Sequence, residues 1–286
     1  MTLAAPDEDA LVAVVGAGTM GVGIAYCFAR AAGAVWVVEP SDERAAAARD
    51  EIAGYVDAGI QRGKLSVERG GAIIAGVRRV GAVDELPAGL AAIIESVPER
   101  LELKHEILRK AEARTPRLLA TNTSALSIDA LAAPLERPEA FLGMHFFNPV
   151  PSLALVEVVR GARTAADTLG SALALVAAID KEPAVVRDSP GFATSRLDVC
   201  LALEAMRMLE EGVAEAEHID RAVRLAYRHP VGPLCLSDIV GLDVRLDIAE
   251  NLATALGPRF APPRLLVEKV AAGELGRKTG RGFYDW

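Results

Sequence analysis

The sequence is poor in cysteine, histidine and aromatic residues, and it has no long apolar run. Its three cysteines, Cys27, Cys200 and Cys235, stand far apart with no Cys-x-x-Cys pair, which excludes a disulfide framework and a thiolate metal site. An odd number of thiols in apolar surroundings suits a reducing compartment, so a cytoplasmic location is expected. No stretch approaches the roughly 18 consecutive apolar residues of a membrane span. The acidic start Asp7-Glu8-Asp9 is unlike the basic opening of a signal peptide. Four histidines form no metal-ligand spacing, and no metal is expected. An excess of positive charge is also lacking. The balance of 31 Lys and Arg against 39 Asp and Glu gives a net charge of −8, spread along the chain, which argues against nucleic acid or an anionic membrane as partner.

What the chain does have is length and apolar mass. Its 286 residues are 51% hydrophobic, with a mean hydropathy of +0.26, enough for one large or two unequal domains. Leu11-Val12-Ala13-Val14-Val15 is a continuous apolar run of the kind buried on both faces of a parallel sheet. It leads into Gly16-Ala17-Gly18-Thr19-Met20-Gly21, then a helical pattern carrying Ile24, Phe28 and Ala32, with Gly33 as its stop. A second strand, Val35-Trp36-Val37-Val38, ends in Glu39. Strand, GxGxxG, helix, strand and an acid about 20 residues on make up the dinucleotide fingerprint. Gly16 permits the tight turn, Gly18 lets backbone approach a pyrophosphate, and Gly21 lets helix and strand pack closely. The amides of Thr19 and Met20 open the helix and face an anion. Glu39 is placed to bind ribose hydroxyls and to repel a 2′-phosphate, which favours NAD over NADP. Arg44 could answer such a phosphate, and Glu39 could instead cap a helix starting near Ser41.

Further strands are expected at Val77 to Val80, Ala91 to Ser96, Leu118 to Thr121 and Pro183 to Val186, with helices between them. Ligands in open α/β sheets sit beyond the carboxyl ends of the strands, which places Ser96 to Glu99 and Asn122-Thr123-Ser124 near the cofactor. After Asp188-Ser189-Pro190-Gly191-Phe192 only helical periodicity remains, over about 193–211, 216–227, 234–256 and 263–272. The expectation is an α/β fold: an N-terminal Rossmann-type doubly wound sheet over residues 1–187, then a smaller all-helical domain over 188–286.

One stretch stands out for chemistry. In 143–157 two strand-like runs flank a turn holding Pro149 and Pro151. If they pair as a hairpin centred near Pro151, His145 and Glu157 lie opposite, with Cβ atoms about 5 Å apart. A His held by a carboxylate is a general base of fixed tautomer; a satisfied core histidine beside an exposed Glu is the plainer alternative. His105 and His218 fall on polar helix faces, and His229 precedes Pro230 in an interhelical turn.

Several motifs then occur in order: Gly16 to Gly21, Thr121-Asn122-Thr123-Ser124, Gly143 to Pro151, Leu155-Val156-Glu157-Val158, Asp188 to Phe192, Pro230-Val231-Gly232-Pro233 and Gly276 to Tyr284. Together, over about residues 10–286, they resemble the L-3-hydroxyacyl-CoA dehydrogenase family, including the bacterial 3-hydroxybutyryl-CoA dehydrogenases. The resemblance implies that His145 is the catalytic base, Glu157 orients it, and Ser124 hydrogen-bonds the substrate oxygen. It implies that Asn148 serves the nicotinamide side and that Glu39, Glu99, Lys104 and Lys278 contact NAD. It further implies a homodimer formed through the helical domain. Two departures bear on the substrate. Where the family has Asn-Arg after Asp-Ser-Pro-Gly-Phe, with the Asn in the substrate pocket, this chain has Ser195-Arg196. The Lys usual before the catalytic Glu is absent from Ser152-Leu153-Ala154-Leu155, and the match near Tyr55 and Arg62, where relatives meet coenzyme A, is loose. The implied activity is oxidation of a 3-hydroxyacyl thioester by NAD. Coenzyme A is the default carrier, an acyl carrier protein in polyketide extender-unit synthesis the alternative, and a free hydroxy acid a third case. A non-catalytic NAD-binding protein is the reading from another class.

Overall fold

The computed structural model describes residues 12–286; Leu11 and the Asp7-Glu8-Asp9 start lie outside the described residues. The chain divides into two compact units, the first ending at Asp188 and the second spanning Ser189–Trp286.

In the first unit the strands are β1 (Val12–Val15), β2 (Val35–Val38), β3 (Val77–Val80), β4 (Ala92–Glu95), β5 (Leu118–Thr121), β6 (Phe141–Phe146), β7 (Leu155–Arg160) and β8 (Glu182–Arg187). They form one sheet in the order β3-β2-β1-β4-β5-β6-β7-β8. Every neighbouring pair is parallel except β6 with β7. All four residues of β1, β4 and β5 are buried, as continuous apolar strands in a covered parallel sheet must be. The helices are α1 (Thr19–Ala32), α2 (Asp42–Gln61), α3 (Val67–Gly76), α4 (Leu101–Glu112), α5 (Ile128–Ala132) and α6 (Ala166–Ala178). Serines start three of them: Ser41, Ser66 and Ser127 accept from the amides of Arg44, Arg69 and Ala130, each satisfying one orphan donor of a first turn.

The chain crosses between β1 and β4, so the strand order reverses there and the loops beyond these two strands diverge. That is where an open α/β sheet forms its crevice. The hairpin turn joining β6 to β7 is held from below by Lys181, whose buried ammonium donates to the carbonyls of Val150 at 2.6 Å and Leu153 at 2.5 Å. Trp36 on β2 is half-buried, with the Arg78 guanidinium 5.6 Å from its ring centroid.

The second unit holds α7 (Thr194–Glu210), α8 (Ala216–Ala226), α9 (Pro233–Val240), α10 (Leu242–Leu256) and α11 (Arg264–Ala271). Its core contains Val199, Leu203, Met206, Leu234, Leu242, Leu252 and Leu266. The single helix expected over 234–256 is two. Gly241 stands at φ +106° between α9 and α10, a conformation open to glycine and strained for other residues. The tail is tied to this break by Asp238, whose fully buried carboxylate accepts from the amides of Phe283 and Tyr284 and from Trp286 Nε1, each at 2.9 Å.

Candidate active site

A cavity of about 930 Å³ opens at the reversal of strand order in the first unit. One end is built by the glycine turn after β1. Gly16 has φ +101°, and a Cβ there would meet the Ser96 carbonyl oxygen at 2.7 Å, so the turn passes against the end of β4 only as glycine. A Cβ on Gly21 would collide with the Gly16 carbonyl, which fixes how closely α1 approaches β1. Gly18 differs from both: a Cβ there would meet nothing within 4 Å, and the residue lines the cavity. Space above a bare peptide at a helix N-terminus with no side-chain cap is what a pyrophosphate needs. Thr19 and Met20, the first residues of α1, line the same wall.

Glu39 closes this end. Its carboxylate accepts from Ala17 N at 3.2 Å and Ser41 N at 3.0 Å while still facing the cavity. Arg44 is engaged elsewhere: Nε donates to the Ala17 carbonyl at 2.6 Å, and Nη2 pairs with Glu51 at 3.0 Å. A carboxylate at the ribose end and a committed guanidinium beside it suit NAD. The residues present therefore fit that cofactor.

The other end of the cavity carries Ser96, Glu99, Asn122, Ser124 and His145 to Asn148. The antiparallel register of β6 and β7 sets His145 opposite Glu157, and Nδ1 lies 2.8 Å from Glu157 Oε2. Glu157 is fully buried and His145 is 7% exposed. With a carboxylate accepting at Nδ1, the neutral imidazole carries its proton there, leaving Nε2 as the acceptor. The ring also packs on Phe147, centroids 4.3 Å apart. Asn122, which the sequence placed only in a turn, links this segment to the next: its Oδ1 accepts from Phe146 N at 2.9 Å. Ser124 is exposed on the cavity wall, with its amide donating to Glu99 at 3.0 Å. Asn148 is likewise exposed on that wall.

His145, Glu157, Ser124, Glu39, Glu99, Asn148 and the glycine turn thus belong to one unit, with all but Glu157 and Gly21 on the cavity wall and Glu157 directly behind His145. Lys104 is placed otherwise than expected. Its side chain is fully buried, lies off the cavity wall, and meets both Glu95 oxygens at 2.8 and 3.0 Å, because an ammonium at this depth must be matched by a buried carboxylate. Glu95 was available to sequence reasoning, since an acid ending a wholly apolar strand requires a cation. Lys278 and Ser195 lie in the second unit. The Lys278 ammonium is held by Asp243 at 2.5–2.6 Å, and Ser195 is half-buried in the first turn of α7.

Comparison with known proteins bears on this arrangement. The 3-hydroxyacyl-CoA dehydrogenase NAD binding domain matches residues 11–189 and the C-terminal domain of the same family matches 191–286. The chain is 40% identical over 281 residues to 3-hydroxyadipyl-CoA dehydrogenase of Escherichia coli, covering 96% of this chain and 58% of that longer protein. It is 38% identical over 278 residues to 3-hydroxybutyryl-CoA dehydrogenase of Bradyrhizobium diazoefficiens, covering 96% of this chain and 94% of that one. Among solved structures, (S)-3-hydroxybutyryl-CoA dehydrogenase from Ralstonia eutropha superposes with a TM-score of 0.93 at 39% identity, over 98% of this chain and 99% of that chain. The chain belongs to the 3-hydroxyacyl-CoA dehydrogenase family, and its first unit is that family's NAD-binding domain.

Proposed function

We propose that this protein oxidises the 3-hydroxyl of a 3-hydroxyacyl thioester with NAD and catalyses the reverse reduction, with coenzyme A as the default carrier. The observation that carries this reading is the His145–Glu157 pair, 2.8 Å apart at the wall of the NAD cavity. NAD, when bound, supplies the hydride acceptor. Gly16, Gly18, Gly21, Thr19, Met20 and Glu39 would hold its adenosine and pyrophosphate, and Asn148 and Glu99 its nicotinamide side. His145 Nε2 takes the hydroxyl proton as the carbinol carbon is oxidised, and Glu157 stabilises the imidazolium that results. In reduction the imidazolium returns that proton, and the Ser124 hydroxyl donates to the substrate oxygen as negative charge develops on it.

Two departures in this chain support a carrier-protein thioester as a second reading: Ser195 at the expected substrate position, and Ala154 in place of a lysine before Leu155. The experiment is turnover of NADH with acetoacetyl-CoA against the same acyl group on an acyl carrier protein, followed by NADH absorbance. A KM for the CoA thioester in the ordinary range of about 1 μM to 1 mM supports the first reading. Rapid turnover of the carrier-protein thioester alone supports the second, and turnover of neither despite tight NADH binding refutes both. We further propose a homodimer through the helical unit, supported by the exposed Leu197, Leu225 and Tyr227; a monomer mass by light scattering would refute it. The three cysteines are free, which suits the reducing cytoplasm, and no helix among the described residues is long and apolar enough to cross a membrane.

A further inference from the structure

We propose that Lys104 is a positioning residue for Ser124, acting through Glu99, a proposal that rests on the dehydrogenase reading only for the role of Ser124. A fully buried ammonium is costly unless each of its three donors is met, and here the partners come from two chain segments, the end of β4 with the loop after it and the turn beyond β5. Both Glu95 oxygens lie at 2.8 and 3.0 Å, Glu99 Oε2 at 3.3 Å and the Asn122 carbonyl at 3.4 Å. No donor is left over for a cofactor, and Nζ is off the cavity wall.

Each partner has a second task. Glu95 also accepts from Val97 N at 2.7 Å and the Thr121 hydroxyl at 2.6 Å. Burial pushes the Glu95 carboxyl up, and Lys104, Thr121 and Val97 oppose that rise by donating to it. Glu99 turns one oxygen to Lys104 and the other to the turn beyond β5. That second oxygen accepts from the Thr123 hydroxyl, from Ser124 N at 3.0 Å and from Ala125 N at 3.2 Å. The Glu99 carboxylate is therefore fixed at both ends, with Ser124 fixed by one of them. The Asn122 carbonyl ties the same ammonium to the residue whose side chain holds the Phe146 amide beside His145. Without the Lys104 charge, Glu95 and Glu99 share a site with no cation between them. Glu99 is about one-third exposed and has solvent to turn into, which releases the Ser124 turn from the position that matches a substrate oxygen held by His145. A displacement of about 1 Å at a positioned group costs on the order of 10²-fold in rate.

The test compares Lys104→Met, Glu99→Ala and Ser124→Ala, alone and combined, with kcat at saturating NADH and the NADH Kd by fluorescence. Lys104→Met and Glu99→Ala are each expected to lower kcat about 10- to 100-fold. Lys104→Met is expected to weaken NADH binding no more than Glu99→Ala does, and on the Ser124→Ala background to lower kcat less than threefold further. If Lys104→Met fails to fold, Lys104→Gln on the Ser124→Ala background carries the same comparison. A Lys104→Met protein that binds NADH more than tenfold weaker with kcat retained would make Lys104 a cofactor ligand and overturn the proposal. So would full additivity with Ser124→Ala, or Glu99→Ala with unchanged kcat while Ser124→Ala is impaired. A Ser124→Ala protein with unchanged kcat would overturn both this proposal and the assignment of Ser124.

Discussion

Replacing Glu157 by Gln tests the dyad most directly, because it keeps shape and removes charge. The glutamine oxygen can still accept from His145 Nδ1, so ring orientation and tautomer persist. What is lost is the attraction between a carboxylate and the imidazolium that forms on proton transfer. The two groups touch at 2.8 Å, with charge centres about 4 Å apart. At an effective dielectric of about 20, that attraction amounts to about 4 kcal/mol. Relief from holding a buried carboxylate offsets part of it, leaving about 3 kcal/mol, or on the order of 10²-fold in kcat. The assay is NADH formation from 3-hydroxybutyryl-CoA, with NADH affinity and melting temperature measured alongside. A kcat within threefold of the parent, in a protein that folds and binds NADH normally, would refute the dyad.

Other expectations follow from the same geometry. Gly18→Ala should leave the apo melting temperature unchanged, since its Cβ meets nothing, and weaken NADH binding about tenfold, a loss of about 1.4 kcal/mol. Gly21→Ala, colliding with the Gly16 carbonyl, should cost about 1–3 kcal/mol or more of stability by calorimetry; equal melting temperatures for the two variants would contradict this contrast. Glu39→Ser should raise the NADH Kd about tenfold and narrow the preference for NADH over NADPH, read as the ratio of kcat/KM; an unchanged ratio removes Glu39 from the ribose. Burial, then the hydrogen bond to Asp220, pushes the Tyr284 hydroxyl well above its ordinary 10.0. The folded chain thus holds that proton more tightly than the unfolded one. The resulting stability is complete below about pH 10 and is lost as pH rises beyond it. Tyr284→Phe should lower stability at neutral pH by about 1–2 kcal/mol and flatten the alkaline decline in melting temperature; an identical alkaline slope would count against it.

The parts of the site legible in the sequence were those that one local segment specifies. The glycine turn, its flanking strands and Glu39 lie within about 30 residues, the span of one βαβ unit. The His145–Glu157 pairing needs only a hairpin register, and a turn centred near Pro151 sets that. The pairing of Lys104 with Glu95 depends instead on how α4 settles over the end of β4, which no periodicity encodes. Lys104 occupies an amphipathic helix whose other charged residues face outward, so its burial was invisible until the sheet was assembled. Asn122 escaped for a related reason: its partner is the Phe146 amide, 24 residues on and one strand over. Apolar spacing runs on through Gly241, and the backbone there takes the positive φ that divides α9 from α10.

The placement of the tryptophans has a practical consequence. The chain has two, Trp36 on β2 in the first unit and Trp286 at the end of the second. Their surroundings differ: one ring lies beside a guanidinium within the sheet, and the other donates through Nε1 to the buried Asp238. Each unit thus carries a single tryptophan. Under excitation that only tryptophan absorbs, Trp36→Phe leaves emission that reports on the helical unit alone, and Trp286→Phe leaves emission from the nucleotide-binding unit. Denaturant titrations of the two variants would show directly whether the units melt as one cooperative block or in sequence.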